Sequence, residues 1–438
     1  MIILHFFLGL IYILLPIVFV LYYRIYYLEK EEDKYFFLWG FVLKMFGAVS
    51  AVLIYTQYYS SGDTLYYFQA GSKLLDFLLD HPNAFFDIFL SPNLSKYENL
   101  DFIYYKQGLV YYRDTSSYTV SKISILLNFL SFQSFLLTSI LCSYFSFFCS
   151  WKFYKFISKK VDFEKMKIGY AIFFMPSVIF WGSGLFKDTF TLAALYLLMI
   201  AMVNIFGYKK ISPSYLIYIV LSLYLLISIR SFFLLTIFPF ISMWVMLLNY
   251  RKIASPAIRF FLVPVFILFI LGGSFFILKS LTQTFQELSF ENLADKSKGF
   301  QSWHTTLKGS AYSLGDMDYS LQGIVNKIPA AINVSLFRPY LWEANKAIIL
   351  LSAIQSLIFL IFTFYVLMKL KFIYFFKHLF RSPGALSLLG FSLFYAFIVG
   401  FTSYNFGALD RYKIPCLSAY IISLLFVLDD YYKELSQN

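Results

Sequence analysis

Long apolar runs separated by short polar segments make up most of the chain. A helix needs roughly 20 apolar residues to cross about 30 Å of hydrocarbon at 1.5 Å per residue. The runs 168–206 and 214–249 are too long to cross once, so each is expected to double back, at Gly182-Ser183-Gly184 and at Arg230-Ser231 respectively. The pattern therefore predicts an all-α polytopic membrane protein, a single integral-membrane domain over residues 1–438 with about eleven transmembrane helices. The predicted spans lie near 2–22, 35–58, 132–151, 168–184, 188–206, 214–229, 231–249, 260–278, 347–368, 384–402 and 413–428.

The composition agrees with this pattern. The chain is 60% hydrophobic and 14% charged, whereas soluble proteins carry about 25% charged residues. These figures exclude a disordered or nucleic-acid-binding protein, and three cysteines are too few for a disulfide framework. The sequence contains no P-loop, which argues against ATP-driven transport, and no GxSxG serine motif.

The distribution of basic residues predicts the orientation in the membrane. Short loops at 24–34, 152–167 and 369–381 are rich in lysine and arginine, and such loops remain in the cytoplasm. The C-terminus is therefore expected in the cytoplasm and the N-terminus outside. The first apolar run lacks a basic flank and is too long for a cleavable signal peptide, so none is expected.

Two long segments, 59–131 and 279–346, are predicted to be external loops containing amphipathic helices. In the first, an apolar stripe begins after Asp63 at helical spacing and suits a helix lying on the membrane surface. Residues 120–131 are apolar but too short to span the membrane, which indicates a re-entrant or interfacial segment. In the second loop, residues 324–339 form another amphipathic stretch.

Charged residues gather at helix ends on the predicted external side. Ionisable groups at the membrane edge are costly, so their convergence there indicates a functional site. Arginine forks and a lysine suit phosphate oxygens, a carboxylate can accept a proton from a hydroxyl, and aromatic rings can pack on sugars. The candidate catalytic residue is Asp63. The candidate substrate-binding residues are Tyr66, Tyr67, Lys187, Asp188, Arg230, Arg338, Trp342, Glu343, Asp410 and Arg411.

Each of these residues also has a structural interpretation. Asp63 suits a helix N-cap, and Lys187-Asp188 suits a snorkelling lysine beside an acid favoured by the helix dipole. Arg230 is harder to explain as a turn residue, because glycine or asparagine serves better there. The remaining charges can be read as local pairs, Arg338 with Glu343 and Asp410 with Arg411. No two histidines have metal-ligand spacing, which argues against a zinc centre.

Three stretches resemble the GT-C superfamily of integral-membrane glycosyltransferases. Asp63-Thr64-Leu65-Tyr66-Tyr67-Phe68-Gln69-Ala70 resembles the acidic first external loop and its surface helix. The stretch from Pro176 to Asp188 resembles the proline-containing helical hairpin of that group. Arg411-Tyr412-Lys413-Ile414-Pro415 resembles the R-Y-x-x-P opening of a late helix in bacterial members. The correspondence as a whole extends in pieces over about a third of the chain, of which these stretches are the motifs, and Gly62 stands where many members carry a second acid.

The resemblance implies a sugar donor on polyprenyl phosphate or diphosphate, reaction at the external leaflet of the bacterial inner membrane, and inversion by direct displacement. The expected function is polysaccharide biosynthesis in the cell envelope, with a glycan, lipid or protein as acceptor and no nucleic acid. Not all members require a metal, so a divalent cation remains open. The alternatives are an O-antigen-type polymerase or ligase, a lipid-linked glycan flippase or transporter, and a non-catalytic assembly subunit.

Overall fold

The computed structural model describes residues 2–95, 109–163, 165–250, 311–315, 321–344 and 346–437, and these residues form helices and connecting segments. We number the helices in chain order. They are α1 Ile2–Tyr26, α2 Glu31–Leu53, α3 Asp63–Asp80, α4 Phe85–Leu90, α5 Thr115–Leu130, α6 Phe135–Ser158, α7 Lys165–Phe173, α8 Pro176–Trp181, α9 Lys187–Met202, α10 Pro213–Arg230, α11 Phe232–Tyr250, α12 Leu321–Asn326, α13 Ile328–Phe337, α14 Ala347–Arg381, α15 Pro383–Thr402, α16 Phe406–Tyr412 and α17 Ile414–Gln437. Single π-helical turns, Ile54–Tyr58 and Val203–Gly207, extend α2 and α9.

Eight helices in the described part of the chain are long and apolar enough to cross a membrane. They are Glu31–Tyr58, Phe135–Ser158, Lys187–Gly207, Pro213–Arg230, Phe232–Tyr250, Ile349–Arg381, Pro383–Thr402 and Ile414–Gln437. The predicted first span is also helical, as α1. The predicted span 260–278 lies outside the described residues, as do 96–108 of the first predicted loop and most of the second. The all-helical membrane class is therefore confirmed.

The predicted span 168–184 is not one continuous helix. It is divided into α7 and α8 at Phe174-Met175, immediately before Pro176. Proline lacks an amide hydrogen and restricts the residue before it, so a helix rarely continues through this point. The predicted reversal at Gly182-Ser183-Gly184 is present, and Gly184 adopts a φ of 71° there. The second reversal lies at Ser231, between α10 and α11.

Lys44 binds backbone carbonyls at the end of α8, where the turn at Gly182-Ser183-Gly184 begins. It lies in α2 with a 1% exposed side chain, and its Nζ donates to the carbonyls of Gly182 and Val178 at 2.7 and 3.3 Å. Helix breaks inside a membrane protein are tolerated where neighbouring groups pair with the freed backbone. Lys44 thus stabilises the broken hairpin from the neighbouring helix.

Helices α9 and α17 lie at the centre of the bundle, with 83% and 89% of their apolar stretches buried, whereas α10 is peripheral at 22%. Most of the core is one continuous apolar cluster that includes Tyr196 of α9 and Tyr420 of α17. The apolar stripe of α3 packs against α5, where Ser124 lies within 2.5 Å of a Cβ placed on Gly71. The stripe predicted to face the membrane surface is therefore covered by protein.

Candidate functional site

Asp63 is the first residue of α3, and a sharp turn places it there. Gly62 precedes it with a φ of 129°, and a Cβ on Gly62 would lie 2.5 Å from the ring of Tyr55. Only glycine suits this conformation and this space. The N-cap of α3 is Gly62, with no side-chain cap hydrogen bond, so Asp63 does not act as the cap that the structural interpretation expected.

The carboxylate of Asp63 binds two partners from distant parts of the chain. Tyr111 donates its hydroxyl to Oδ1 at 2.7 Å, and Arg411 donates Nη1 to Oδ2 at 3.0 Å. Burial raises the pKa of Asp63, but Arg411, the Tyr111 hydrogen bond and Lys187 outweigh burial and hold this pKa below its ordinary value. Asp63 is therefore an ionised hydrogen-bond acceptor at neutral pH.

Asp188 bridges two arginines. Its Oδ1 lies 2.9 Å from Nη2 of Arg230, and its Oδ2 accepts a hydrogen bond from Nε of Arg411. The exposed side-chain fractions are 3% for Asp188, 9% for Arg230 and 13% for Arg411. Arg230 sits over the ring of Tyr412 at 4.7 Å, and its Nη1 is buried without a hydrogen-bond partner in the described part of the molecule.

Lys187 joins the first predicted loop to the bundle. Its Nζ contacts Oγ of Ser116 at 2.5 Å and Oδ2 of Asp114 at 3.4 Å. Asp114 is the N-cap of α5, and its carboxylate accepts the amides of Ser116 and Ser117. Burial raises the pKa of Asp114, but Lys187 and the hydrogen bonds from Ser117 lower it to about 2.

These residues form one site, which we call the charged cluster: Asp63, Tyr111, Asp114, Lys187, Asp188, Arg230 and Arg411. It joins the starts of α3 and α9, the end of α10, helix α16 and the segment before α5. Three cations balance three carboxylates within it, so an incoming anion would compete with the carboxylates for the same guanidinium groups.

A second group lies before α14. Arg338 donates from Nε to both carboxylate oxygens of Glu343 at 3.1 and 3.0 Å, so these residues form the local pair that the sequence allowed. Trp342 is 82% exposed and stacks on Tyr340, with ring centroids 4.8 Å apart. Trp342 therefore offers an open aromatic face at this position.

Asp410 and Lys413 connect the second group to the charged cluster. Asp410 accepts from the hydroxyls of Ser177 and Ser352 at 2.7 and 2.6 Å, and Lys413 lies 3.6 Å from it. Lys413 is buried and donates to the backbone carbonyl of Arg338 at 3.3 Å. The neighbours Asp410 and Arg411 therefore bind different partners and do not form the adjacent pair considered from the sequence.

Helix α8 contributes Trp181 to the same region. The guanidinium of Arg411 lies 5.5 Å from the centre of its ring, and the indole Nε1 donates to Oδ2 of Asp410 at 3.4 Å. The aromatic ring covers one side of the arginine while the indole nitrogen holds the neighbouring acid. Trp181 therefore fixes both members of the Asp410-Arg411 sequence.

One residue predicted to contact a sugar is covered by protein. The side chain of Tyr67 is 1% exposed and packs near Tyr111, so it presents no ring face to a ligand in this structure. The reason is that Tyr67 belongs to the stripe of α3 that faces α5, whereas Tyr66 is half-buried at its edge. Tyr66 also contacts the Tyr111 ring, with centroids 5.9 Å apart.

Sequence reasoning missed Tyr111, Asp114, Trp181 and Tyr55. For Asp114 a local signal existed, because Asp-Thr-Ser-Ser before an apolar run is typical of a helix N-terminus. The other three are aromatic residues in a chain that is 22% aromatic, so their residue type does not distinguish them. Only their proximity to Asp63, Asp410 and Arg411 does so.

Neither a group of metal ligands nor one of the two cavities described below marks the charged cluster in the described part of the chain. In the described parts of the chain, no group of three His, Cys, Asp or Glu residues is placed to hold a metal ion, and Arg411 links the carboxylates of Asp63 and Asp188. Two cavities, of about 390 and 160 Å³, lie at the opposite end of the bundle and are lined by other residues, among them Glu31 and Asp429. Comparison of the chain with family models, curated proteins and solved structures finds no match.

Proposed function

We propose that this protein is a GT-C-type glycosyltransferase that uses a sugar donor linked to polyprenyl phosphate or diphosphate. The observation that carries the proposal is the charged cluster at one end of the helical bundle, where Arg411 pairs with Asp63 and Asp188 joins Arg411 to Arg230. Lys187 pairs with Asp114 and acts on Asp63 through its charge. A lipid-linked sugar presents its phosphate at the edge of the bilayer. Cationic groups held at helix ends, beside a carboxylate, fit that substrate.

The proposed reaction is a direct displacement with inversion at the anomeric carbon. Asp63 accepts the proton of the acceptor hydroxyl as its oxygen forms the new glycosidic bond. The bond from the anomeric carbon to the phosphate oxygen breaks, and the lipid phosphate leaves with the electron pair. Arg230, Arg411 and Lys187 stabilise its negative charge, while Asp188 holds both guanidinium groups in place.

Tyr66, Trp342 and the Arg338–Glu343 pair lie at the proposed sugar-binding part of the site. The exposed Trp342 supplies a ring face, and the paired charges supply hydrogen-bond donors and acceptors for hydroxyl groups. The network through Lys413 and Asp410 joins this part to the charged cluster. A donor that engages both groups would be held at its phosphate and at its sugar.

A structural salt-bridge network is the main competing explanation. Buried ion pairs add little net stability, because desolvation of the charges offsets their attraction. Nη1 of Arg230 is buried without a hydrogen-bond partner in the described residues, which is costly unless another group binds it. The guanidinium nitrogen has no partner there, although the neighbouring carboxylate of Asp188 is paired, and this favours a site that binds an anion.

We further propose that the charged cluster faces the external side of a bacterial inner membrane and that the product belongs to the cell envelope. The opposite end of the bundle carries Lys377, Arg381 and Lys433, as expected of a cytoplasmic face. The N-terminus would then lie outside and the C-terminus inside. This orientation accompanies the sequence-based topology of about eleven spans, with 59–131 and 279–346 as external loops.

An O-antigen-type polymerase or ligase is a second candidate, because the Arg230–Asp188–Arg411 arrangement equally suits a lipid diphosphate. A flippase or transporter is less favoured. Transporters bind their cargo at charged groups and broken helices at mid-membrane. This chain has a broken helix, α7–α8, but the buried Lys44 beside it is already engaged by two carbonyls inside the packed bundle. A non-catalytic assembly subunit would have no need of the acceptor function of Asp63.

Asp63→Asn tests the proposal because it retains size and removes the proton acceptor. Envelope glycans and lipid-linked intermediates are measured by mass spectrometry in cells with the wild-type chain, without it, and with each variant. We expect Asp63→Asn to lower product by at least about 100-fold, in the range of lost general-base catalysis, with donor lipid accumulating. The matched control is Asp87→Asn, at an exposed position of α4. Wild-type product levels from well-expressed Asp63→Asn protein would remove the catalytic proposal.

A further inference from the structure

Tyr111 approaches Asp63 from a part of the chain 48 residues away. It lies in the segment before α5, and its ring is held between Tyr66 and Tyr67, with centroid distances of 5.9 and 5.6 Å. The chain is anchored immediately after Tyr111: Leu94 donates its amide to the carbonyl of Tyr112 at 2.9 Å, and Asp114 caps α5. The phenol therefore reaches Oδ1 of Asp63 from a fixed ring.

We propose that Tyr111 is a positioning residue that fixes the orientation of the Asp63 carboxylate and tunes its basicity through the phenol hydrogen bond. This inference rests on the proposed catalytic use of Asp63. Arg411 holds one oxygen and Tyr111 the other, so rotation about the bond that carries the carboxylate would break at least one contact. Fixing a reacting group in this way avoids the entropic cost of orienting it during the reaction.

The neighbouring charges do not provide the same contact. Within the described residues, four other titratable or charged groups interact with Asp63, and they come from four separate elements. They are Arg411 of α16, Lys187 of α9, Tyr55 of the π-helical turn and Tyr67 of α3, while Asp188 is linked to Asp63 through Arg411. Among the described hydrogen-bond partners of Asp63, Tyr111 is the neutral donor, so it can be removed without changing the charge of the site.

The hydrogen bond between Tyr111 and Asp63 changes the two pKa values in opposite directions. Burial and the hydrogen bond to Asp63 raise the pKa of the Tyr111 hydroxyl, which keeps it protonated as a donor. A hydrogen bond to the charged form of a carboxylate lowers the carboxylate pKa, so removal of the phenol raises the pKa of Asp63. A residue that merely filled space would leave this pKa unchanged.

The test measures Asp63 directly and needs no sugar donor. Dicyclohexylcarbodiimide, an apolar reagent, reacts with protonated carboxyl groups, so its reaction rate at Asp63 falls as pH rises through the pKa. Full-length protein in lipid nanodiscs is treated across a pH series, and modification of the peptide containing Asp63 is quantified by mass spectrometry. The variants are Tyr111→Phe and the control Tyr58→Phe, at a residue whose side chain is 74% exposed.

We expect Tyr111→Phe to move the midpoint of modification upward by about one pH unit, the size of one hydrogen bond to a charged group, and Tyr58→Phe to leave it unchanged. An unchanged midpoint in Tyr111→Phe would overturn the proposal. If this variant does not fold, 3-fluorotyrosine at position 111 keeps the ring and makes the phenol a stronger donor. The midpoint should then fall, and a midpoint equal to that of the wild type would overturn the proposal.

The two proposals fail in different ways. Normal glycan product from Asp63→Asn would remove the proposed function and leave the Tyr111 contact intact. An unchanged modification midpoint would remove the role of Tyr111 and leave Asp63 as the proposed base. In an assay of sugar transfer, loss of the phenol should move the acidic limb of the profile of kcat/KM against pH in the same direction as the modification midpoint. A purely structural effect would lower kcat/KM without moving this limb.

Discussion

At the scale of single residues, the central feature is a carboxylate shared by two arginines. Asp188 is 3% exposed and contacts both Arg230 and Arg411, so it neutralises charge that would otherwise be buried alone. The sequence indicated Asp188 as a candidate substrate-binding residue or as a helix N-terminal acid beside Lys187, and not as a partner of either arginine. Neither arginine is near it in the chain, and no local pattern indicates the pairing.

Replacement of Asp188 by asparagine should destabilise the protein markedly. Removing one partner of a buried ion pair costs about 3–5 kcal/mol, because the remaining charge is left without compensation. We expect a lower midpoint of thermal unfolding in nanodiscs, measured by intrinsic fluorescence, and partial recovery when Arg230→Gln is added. Asp87→Asn serves as the control. A midpoint equal to that of the wild type would contradict the bridging role of Asp188.

At the scale of elements, the break between α7 and α8 determines where the site residues lie. The break and the following turn place Trp181 against Asp410 and Arg411 and start α9 at Lys187. Helix α2 packs closely beside α8, since a Cβ on Gly47 would lie 2.0 Å from the carbonyl oxygen of Ile179. A glycine in α2 therefore permits the broken hairpin to approach.

Gly47→Ala should separate α2 from α8. Alanine favours a helix by about 1 kcal/mol over glycine, but a contact of 2.0 Å with backbone cannot be relieved by a side-chain rotation. We expect a lower yield of folded protein and a lower thermal midpoint, together with increased accessibility of Trp181 to a fluorescence quencher. Val49→Ala, at a 37% exposed position of the same helix, is the control. A more stable Gly47→Ala protein would show that the two helices do not pack as described.

At the scale of the whole molecule, the helices run back and forth so that one end of the bundle collects the charged cluster and the other collects basic residues. The second end carries Lys155 paired with Asp33, and Lys433 between Asp162 and Asp429. The segments 152–160 and 369–381 at this end contain lysine and arginine residues and no aspartate or glutamate, which is expected of a cytoplasmic face. The two ends are therefore expected on opposite sides of the membrane.

Single cysteines at the two ends test this arrangement. The three native cysteines are buried, so they offer little background to a polar reagent. We expect Asn83→Cys, in the turn after α3, to react with a membrane-impermeant maleimide in intact cells. Gln437→Cys, at the end of α17, should react only after the membrane is permeabilised. Labelling of both positions from the same side would contradict the topology and, with it, an external site.

The sequence by itself determined the membrane class and the approximate helix positions. Apolar runs of a given length must form helices in a bilayer, because their backbone groups have no water to bind. The two reversals followed from run length, since runs that long cannot cross once, and the breaks at Gly182-Ser183-Gly184 and Arg230-Ser231 gave their positions. The gathering of charged residues at helix ends was also predictable, because ions avoid the hydrocarbon.

Only the tertiary structure decided which of these groups meet. It joins Asp63 to Arg411 across 348 residues and Asp188 to Arg411 across 223, and it brings Tyr111 to the site while burying Tyr67. Such pairs depend on how the helices pack and on how each is rotated about its axis. The apolar pattern constrains this packing and rotation weakly, because the spans are apolar on nearly every face. Packing of glycines, side-chain volumes and buried hydrogen bonds fixed them instead.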